Sequence, residues 1–117
     1  MCGRYVSPDE ASIERRFHIG RHNSNPFPAR YNVAPQQGNP ANYVSVVRAD
    51  REGRLELCRL QWWLLPYWSK EPRVKHATFN ARVETVSQLA SFRVPLQRRR
   101  CVVPALGWYE WQELKSG

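Results

Sequence analysis

Residues 43–62 read YVSVVRADREGRLELCRLQW. β-branched and apolar residues fill most of the first seven positions, and the polar Asp-Arg-Glu-Gly at 50–53 is typical of a hairpin turn. We therefore predict two antiparallel strands, over residues 43–49 and 54–62. The apolar phase of the second strand shifts between Leu57 and Leu60, which predicts a β-bulge near Cys58.

Short elements flank this hairpin on both sides. Ser7-Pro8-Asp9-Glu10 is a capping box with proline at the first helical position, and it predicts a helix over 8–19. A second capping box at 85–88 predicts a helix that ends near residue 93, and two strands follow over 101–103 and 107–112. Short strands with two isolated helices predict an α+β fold.

The segment over residues 20–42 has no apolar periodicity. It carries four prolines and five asparagines. Irregular segments of this length inside a compact domain are usually functional or disordered. Its middle, residues 30–35, mixes an arginine and a tyrosine with small apolar residues and is expected to be ordered.

Composition favours one partner class. The 117 residues predict a single domain over 1–117, and the net charge is +8, with arginine supplying 15 of the 18 cationic side chains. Guanidinium groups bind phosphate oxygens and stack on bases, and the 14 aromatic residues could supply stacking surfaces. The pattern favours a single-stranded nucleic acid, although a basic protein with ordinary core aromatics is the alternative.

Several other classes are disfavoured. The longest apolar run, Trp62 to Leu65, excludes a membrane-spanning helix, and Arg4 and Asp9 interrupt any secretory signal. The three cysteines lack metal-like spacing, and His18 and His22, four residues apart around Gly20, have no evident third ligand. We expect no metal, no cofactor and a cytoplasmic location.

Cys2 is the residue with the most distinctive chemistry. Removal of Met1 would leave a free α-amine and a thiol on neighbouring carbons. An α-amine has a pKa of about 8, against about 10.4 for lysine, so far more of it is neutral near neutral pH. It can form a Schiff base with an aldehyde, and the thiol then closes a five-membered thiazolidine. The alternative is a Cys2 that is merely packed against the core.

Other polar residues are candidates for this chemistry. Glu110 would share a strand face with Trp108, where contact with the indole would suit its carboxyl to proton transfer. Asn80 could hold a sugar or phosphate oxygen, or simply cap a turn. Arg4, Arg82 and the run Arg98 to Arg100 could contact phosphates, although charge runs are usually solvated.

Taken in order, several blocks of the chain resemble the SOS-response-associated peptidase family, whose members shield abasic sites in single-stranded DNA. They are Met1-Cys2-Gly3-Arg4, Arg30-Tyr31-Asn32-Val33-Ala34-Pro35, Trp62 with Pro66 and Trp68, Asn80-Ala81-Arg82-Val83-Glu84-Thr85, Phe92-Arg93, Arg100-Cys101-Val102-Val103-Pro104 and Gly107-Trp108-Tyr109-Glu110-Trp111.

The resemblance implies a fold and a reaction. The fold is a curved sheet or open barrel flanked by short helices. In the reaction, Cys2 forms a thiazolidine with the ring-opened abasic sugar, Glu110 assists proton transfers, and Asn80 positions the sugar and the terminus. The resemblance also implies a basic channel over the N-terminus in which Arg4 and Arg82 bind phosphates, and we expect further DNA contacts from Asn32, Trp68 and Arg98.

Two departures from the family pattern accompany the resemblance. Trp63 stands where the family usually has glycine. Family members are about twice this length, and their second half supplies an active-site histidine that His18, His22 and His76 do not match. We therefore expect a chain truncated relative to the family domain. A Cys2-dependent peptidase, a reversible single-strand binder and an inactive relic are the alternatives.

Overall fold

The computed structural model describes residues 2–20 and 24–114. Its helices and strands form two antiparallel sheets, one with the strand order β2-β1-β5 and one made by β3 and β4. The α+β prediction is confirmed. The elements are β1 (Tyr5–Ser7), α1 (Glu10–Arg16), β2 (Arg30–Val33), a 3-10 turn (Pro40–Asn42), β3 (Val44–Ala49), β4 (Leu55–Leu60), α2 (Ala90–Arg98) and β5 (Gly107–Trp108).

The hairpin lies where the sequence predicts it. The Asp50 side chain accepts hydrogen bonds of 2.9 Å from the backbone N–H groups of Glu52 and Arg54. Gly53 adopts a positive φ of 79°, which glycine tolerates best. These contacts fix the turn that pairs β3 with β4.

The predicted bulge near Cys58 is wrong. Every residue of β3 pairs in step with β4, and Cys58 lies opposite Val46. The phase of the apolar residues changes because both faces of the hairpin are covered: Leu57 packs against one buried cluster and Leu60 against another. A strand with two covered faces shows no simple alternation.

Two small clusters form the core. The first is joined by the half-buried Cys2, Cys58, Leu60 and Trp62, and its buried members are Tyr5, Val33, Val44 and Val46. The second joins α1 to the other face of the hairpin and contains Ile13, Ile19 and Val47. Cys2 therefore packs beside the first cluster, at the start of β1.

The first helix is shorter than predicted. It begins at Glu10, with Asp9 rather than Ser7 as its N-cap, because the Asp9 carboxylate accepts from Ser12 N at 3.0 Å. Ser7 belongs to β1 instead. The helix ends at Arg16, well before the predicted residue 19.

Glu10 is completely buried. Its carboxylate accepts hydrogen bonds from Phe27 N at 2.7 Å, Ser45 Oγ at 2.8 Å and Arg59 Nη2 at 2.7 Å. Burial opposes ionisation, but the bonds from Arg59, Phe27 and Ser45 outweigh it and lower the pKa of Glu10. This carboxylate ties α1 and the segment before β2 to both strands of the hairpin.

The last third of the chain departs most from expectation. Turns cover most of the region predicted as the second helix, and α2 spans Ala90–Arg98 without a side-chain cap. The strand predicted over 101–103 is a single bridge between Val102 and Val47, and the last strand shortens to Gly107–Trp108. The segment over 30–35 is ordered as predicted, because it contains β2.

The sheets observed among the described residues do not show the single curved sheet or open barrel that the family resemblance implies. β5 pairs only through Tyr5 with Trp108 and Val6 with Gly107, and the described residues form two sheets rather than one. The single curved sheet or open barrel thus stays a prediction. Neither helix in the described part of the chain has the length and apolarity needed to cross a membrane.

Candidate functional site around Cys2

Cys2 lies just before β1 and is half-buried. Its thiol donates a long hydrogen bond of 3.5 Å to the carbonyl oxygen of Arg4. Its own carbonyl oxygen accepts a bond of 2.7 Å from the side-chain amide of Asn80. Asn80 is thus brought from a distant part of the sequence to the backbone of Cys2.

Contacts just after β4 explain how Asn80 reaches this place. The Trp62 indole N–H donates to the Phe79 carbonyl at 2.8 Å, and the Thr78 hydroxyl donates to the Leu64 carbonyl at 2.6 Å. Trp62 also packs edge-on against Tyr5, with ring centroids 5.4 Å apart. The loop before Asn80 is therefore fastened to the same core cluster as Cys2.

Cys2 lines a cavity of about 580 Å³ whose wall is mainly apolar and aromatic. The resemblance implies a basic channel over the N-terminus, but Arg99 is the one arginine among the described residues that line this cavity. The aromatic part of the wall consists of Tyr5, Trp62, Trp63 and Trp108. Aromatic side chains of this kind can stack on nucleic acid bases.

Arg4 lies on a neighbouring cavity of about 440 Å³, lined also by Gly3, Tyr109, Glu110 and Trp111. The Arg4 carbonyl accepts from Tyr109 N at 3.0 Å, which holds the two segments together. The Arg4 guanidinium donates to Asn32 Oδ1 at 3.0 Å.

Glu110 differs from its expected environment. The sequence predicts contact with the Trp108 indole and loss of solvent, but Glu110 is exposed and Trp108 retains 66% of its exposure. The strand ends at Trp108, so the alternation assumed for 107–112 does not continue to Glu110. Glu110 lines the cavity of Arg4 instead.

The remaining predicted DNA contacts lie on other parts of the surface. Arg82 is exposed, two residues after Asn80. Trp68 is 49% exposed and packs edge-on against Tyr67. Arg98 lines a separate groove with Arg48 and Arg51.

Sequence reasoning missed two contacts in this region. Trp62 holds Phe79, and the Tyr109 hydroxyl donates to the Tyr31 carbonyl at 3.0 Å. Trp62, Tyr31 and Tyr109 all lie within the blocks that resemble the family, so their membership in those blocks was the available signal. Their partners lie far away in sequence and could not be read from spacing.

The other two cysteines, Cys58 and Cys101, have perturbed thiols. Burial raises the pKa of both Cys58 and Cys101, and Glu56 adds to the effect at Cys58. Each has less thiolate near neutral pH than an ordinary cysteine. Among residues 2–20 and 24–114, no group of three His, Cys, Asp or Glu side chains could hold a metal ion, and His22 lies outside those ranges.

Comparison with known proteins gives a consistent result. The chain is 36% identical to abasic site processing protein YoqW of Bacillus subtilis over 116 residues, 97% of this chain and 49% of that protein. It is 33% identical to YoaM of the same organism over 123 residues, 99% of this chain and 49% of that protein. Identity to abasic site processing protein HMCES of Pongo abelii is 39% over 93 residues, 74% of this chain and 26% of that protein.

The chain spans about half the length of the bacterial relatives that it matches. No solved structure gives a significant match. The model of the family described as SOS response associated peptidase (SRAP) matches residues 1–117. This match covers the whole chain, including the cavities around Cys2 and Arg4, and the chain therefore belongs to the SRAP family.

Proposed function

We propose that this chain captures abasic sites in single-stranded DNA through a covalent bond to Cys2 and thereby shields the lesion during a DNA-damage response. One observation carries the proposal: the Asn80 amide is bonded to the backbone of Cys2, which lines the aromatic cavity, and the next two residues, Gly3 and Arg4, line the cavity shared with Glu110. The names of the relatives as abasic site processing proteins support it.

The reaction needs only groups of the chain and the sugar. After removal of Met1, the Cys2 amine adds to the C1′ aldehyde of the ring-opened deoxyribose, and loss of water gives a Schiff base. The thiol sulfur then adds to the imine carbon while its proton passes to the nitrogen. The product is a thiazolidine, and one water is released overall.

Each predicted residue has a role in this proposal. Glu110 is exposed beside Arg4, where its carboxylate can exchange protons as the sugar ring opens. Asn80 positions the reacting terminus. Phosphates and bases would be contacted by Arg4, Trp68, Arg82 and Arg98, and Asn32 would act on DNA by orienting the Arg4 guanidinium.

The extent of the domain is part of the same proposal. Residues 1–117 would form the N-terminal portion of a single SRAP domain, the portion that supplies the aminothiol. A protein acting on chromosomal lesions would work in the cytoplasm at the nucleoid. No cofactor takes part in the bond-making steps.

A denaturing gel tests the proposal. The protein is mixed with single-stranded DNA that carries one abasic site, and a shifted band is expected without added reductant. Cys2→Ala should lose the band, whereas a Cys58→Ala, Cys101→Ala double variant should keep it. A band that survives Cys2→Ala would overturn the proposal.

The same gel separates the alternatives. A reversible binder gives no shifted band after denaturation, and a peptidase gives none but cleaves a peptide library. Intact-mass measurement of the protein isolated from cells should show loss of Met1. Retention of Met1 would exclude the thiazolidine, because the amine would remain locked in an amide.

A further inference from the structure

A second groove, of about 850 Å³, adjoins the Cys2 cavity. The two share Leu60, Leu64, Arg99 and Cys101 as lining residues. We call this second groove the arginine groove, because its charged lining consists of Arg48, Arg51, Arg98, Arg99 and Arg100 with Asp50 and Glu56.

Both carboxylates of the arginine groove already have partners. Glu56 pairs with Arg48 at 3.0 Å, and Asp50 pairs with Arg54 at 3.4 Å. In the described part of the chain, no ion pair engages Arg51 or the run Arg98 to Arg100. Four guanidinium groups that face one groove repel one another, and an anionic ligand would relieve that repulsion.

Helix capping explains only part of this cluster. Cations stabilise the C-terminal end of a helix, and the Arg100 guanidinium donates to the Leu96 carbonyl at 2.6 Å. Capping of the helix does not explain why Arg48 and Arg51, which belong to the β3–β4 hairpin, line the same groove. Two elements that are remote in sequence supply the charge independently.

We propose that the arginine groove binds the phosphodiester backbone of the DNA strand as it continues away from Cys2, an inference that rests on the proposed function. Guanidinium groups bind phosphate oxygens through paired N–H donors, and such contacts do not depend on base sequence. Arg99 lines both the Cys2 cavity and the arginine groove, so a strand that leaves the first would meet the second at this residue.

Salt dependence of DNA binding tests this assignment. The probe is a fluorescently labelled, intact single strand of about 16 nucleotides, the upper range for single-strand binding folds. Each lost phosphate contact lowers the slope of log affinity against log salt by about 0.7, so Arg98→Gln with Arg99→Gln should lower it by about 1.4. Arg51→Gln alone should lower it by about 0.7.

Arg16→Gln is the matched control, because Arg16 is exposed on α1 and does not line the groove. It should keep the slope of the unmodified protein. Urea unfolding of every variant checks the fold, and Arg51→Gln, in a surface turn, covers the case in which the double variant unfolds. Slopes unchanged in both groove variants would overturn the assignment.

This experiment is independent of the covalent reaction, because intact DNA carries no aldehyde. Suppose that the groove variants show the expected smaller slope but the unmodified protein forms no crosslink. That result would contradict the proposed function and still support the assignment of the arginine groove. Normal crosslinking with unchanged slopes would contradict the groove alone.

Discussion

The side-chain amide of Asn80 donates a hydrogen bond of 2.7 Å to the backbone carbonyl of Cys2, a residue 78 positions away. This bond holds the peptide between Cys2 and Gly3. In the proposed reaction, Asn80 would therefore act as a positioning residue for the terminus.

Asn80→Ala should slow crosslinking by about 3- to 10-fold, because a hydrogen bond of this kind contributes about 1 kcal/mol. The measurement is the single-turnover rate of gel-shift formation at saturating DNA. Affinity for intact DNA should not change. Asn39→Ala is the control, since Asn39 caps a 3-10 turn on the surface. An equal loss of rate and of intact-DNA affinity would mean that Asn80 contacts DNA directly.

Trp62 and Trp63 form a matched pair for testing how the Asn80 loop is held. Trp62 N–H binds the Phe79 carbonyl, next to Asn80, whereas Trp63 N–H binds the His76 carbonyl at 2.9 Å. Trp62→Phe should slow crosslinking severalfold, because it frees the peptide beside Asn80. Each substitution removes one hydrogen bond and should lower the free energy of unfolding by about 1 kcal/mol, but Trp63→Phe should not slow the reaction. Equal rates in the two variants would contradict this view of Trp62.

Asn32 should act on DNA through Arg4. Its side-chain oxygen accepts the Arg4 guanidinium at 3.0 Å and so limits the orientations of that cation. Asn32→Ala should weaken binding to intact single-stranded DNA by a few fold at low salt. In an Arg4→Gln background the same change should have little effect, as a double-mutant cycle by fluorescence anisotropy would show. Asn42→Ala, in a surface turn, is the control, and additive losses would place Asn32 in separate contact with DNA.

Local signals predicted the elements whose stability is local. The hairpin over 43–62 follows from its turn residues and β-branched strands, and the Asp50 side chain makes the contacts that such a turn requires. Arg30–Val33 is likewise ordered as expected. The bulge near Cys58 failed because the sequence does not reveal that the hairpin is covered on both faces.

Long-range contacts account for the other differences. Glu10 resembles the glutamate that ends a capping box, but it is bound by groups 17, 35 and 49 positions away. No local pattern could indicate this. Glu110 was assigned to a strand face because alternation was assumed to continue past Trp108, where pairing with β1 ends. The resemblance implies that Asn80 positions the terminus. The hydrogen bond from Asn80 to the Cys2 carbonyl, which supports that role, is visible only in the structure.

The buried carboxylate of Glu10 gives a prediction for stability and pH. Its pKa is lowered from an ordinary value of 4.5, so the stabilisation is complete above that pH and is lost as pH falls through the lower, folded-state pKa. Glu10→Gln leaves the Arg59 guanidinium without its carboxylate. Breaking a buried pair costs about 3–5 kcal/mol, and the lower end is expected because the Arg59 side chain keeps 26% exposure.

Urea unfolding at several pH values measures this cost. The difference between the unmodified protein and Glu10→Gln should be about 3 kcal/mol at pH 7 and should shrink below pH 4.5, because protonation removes the same charge that the substitution removes. Glu56→Gln is the control, since the pair of Glu56 with Arg48 is exposed and its loss should change stability little. A difference independent of pH would show that Glu10 acts through packing and neutral hydrogen bonds rather than through its charge.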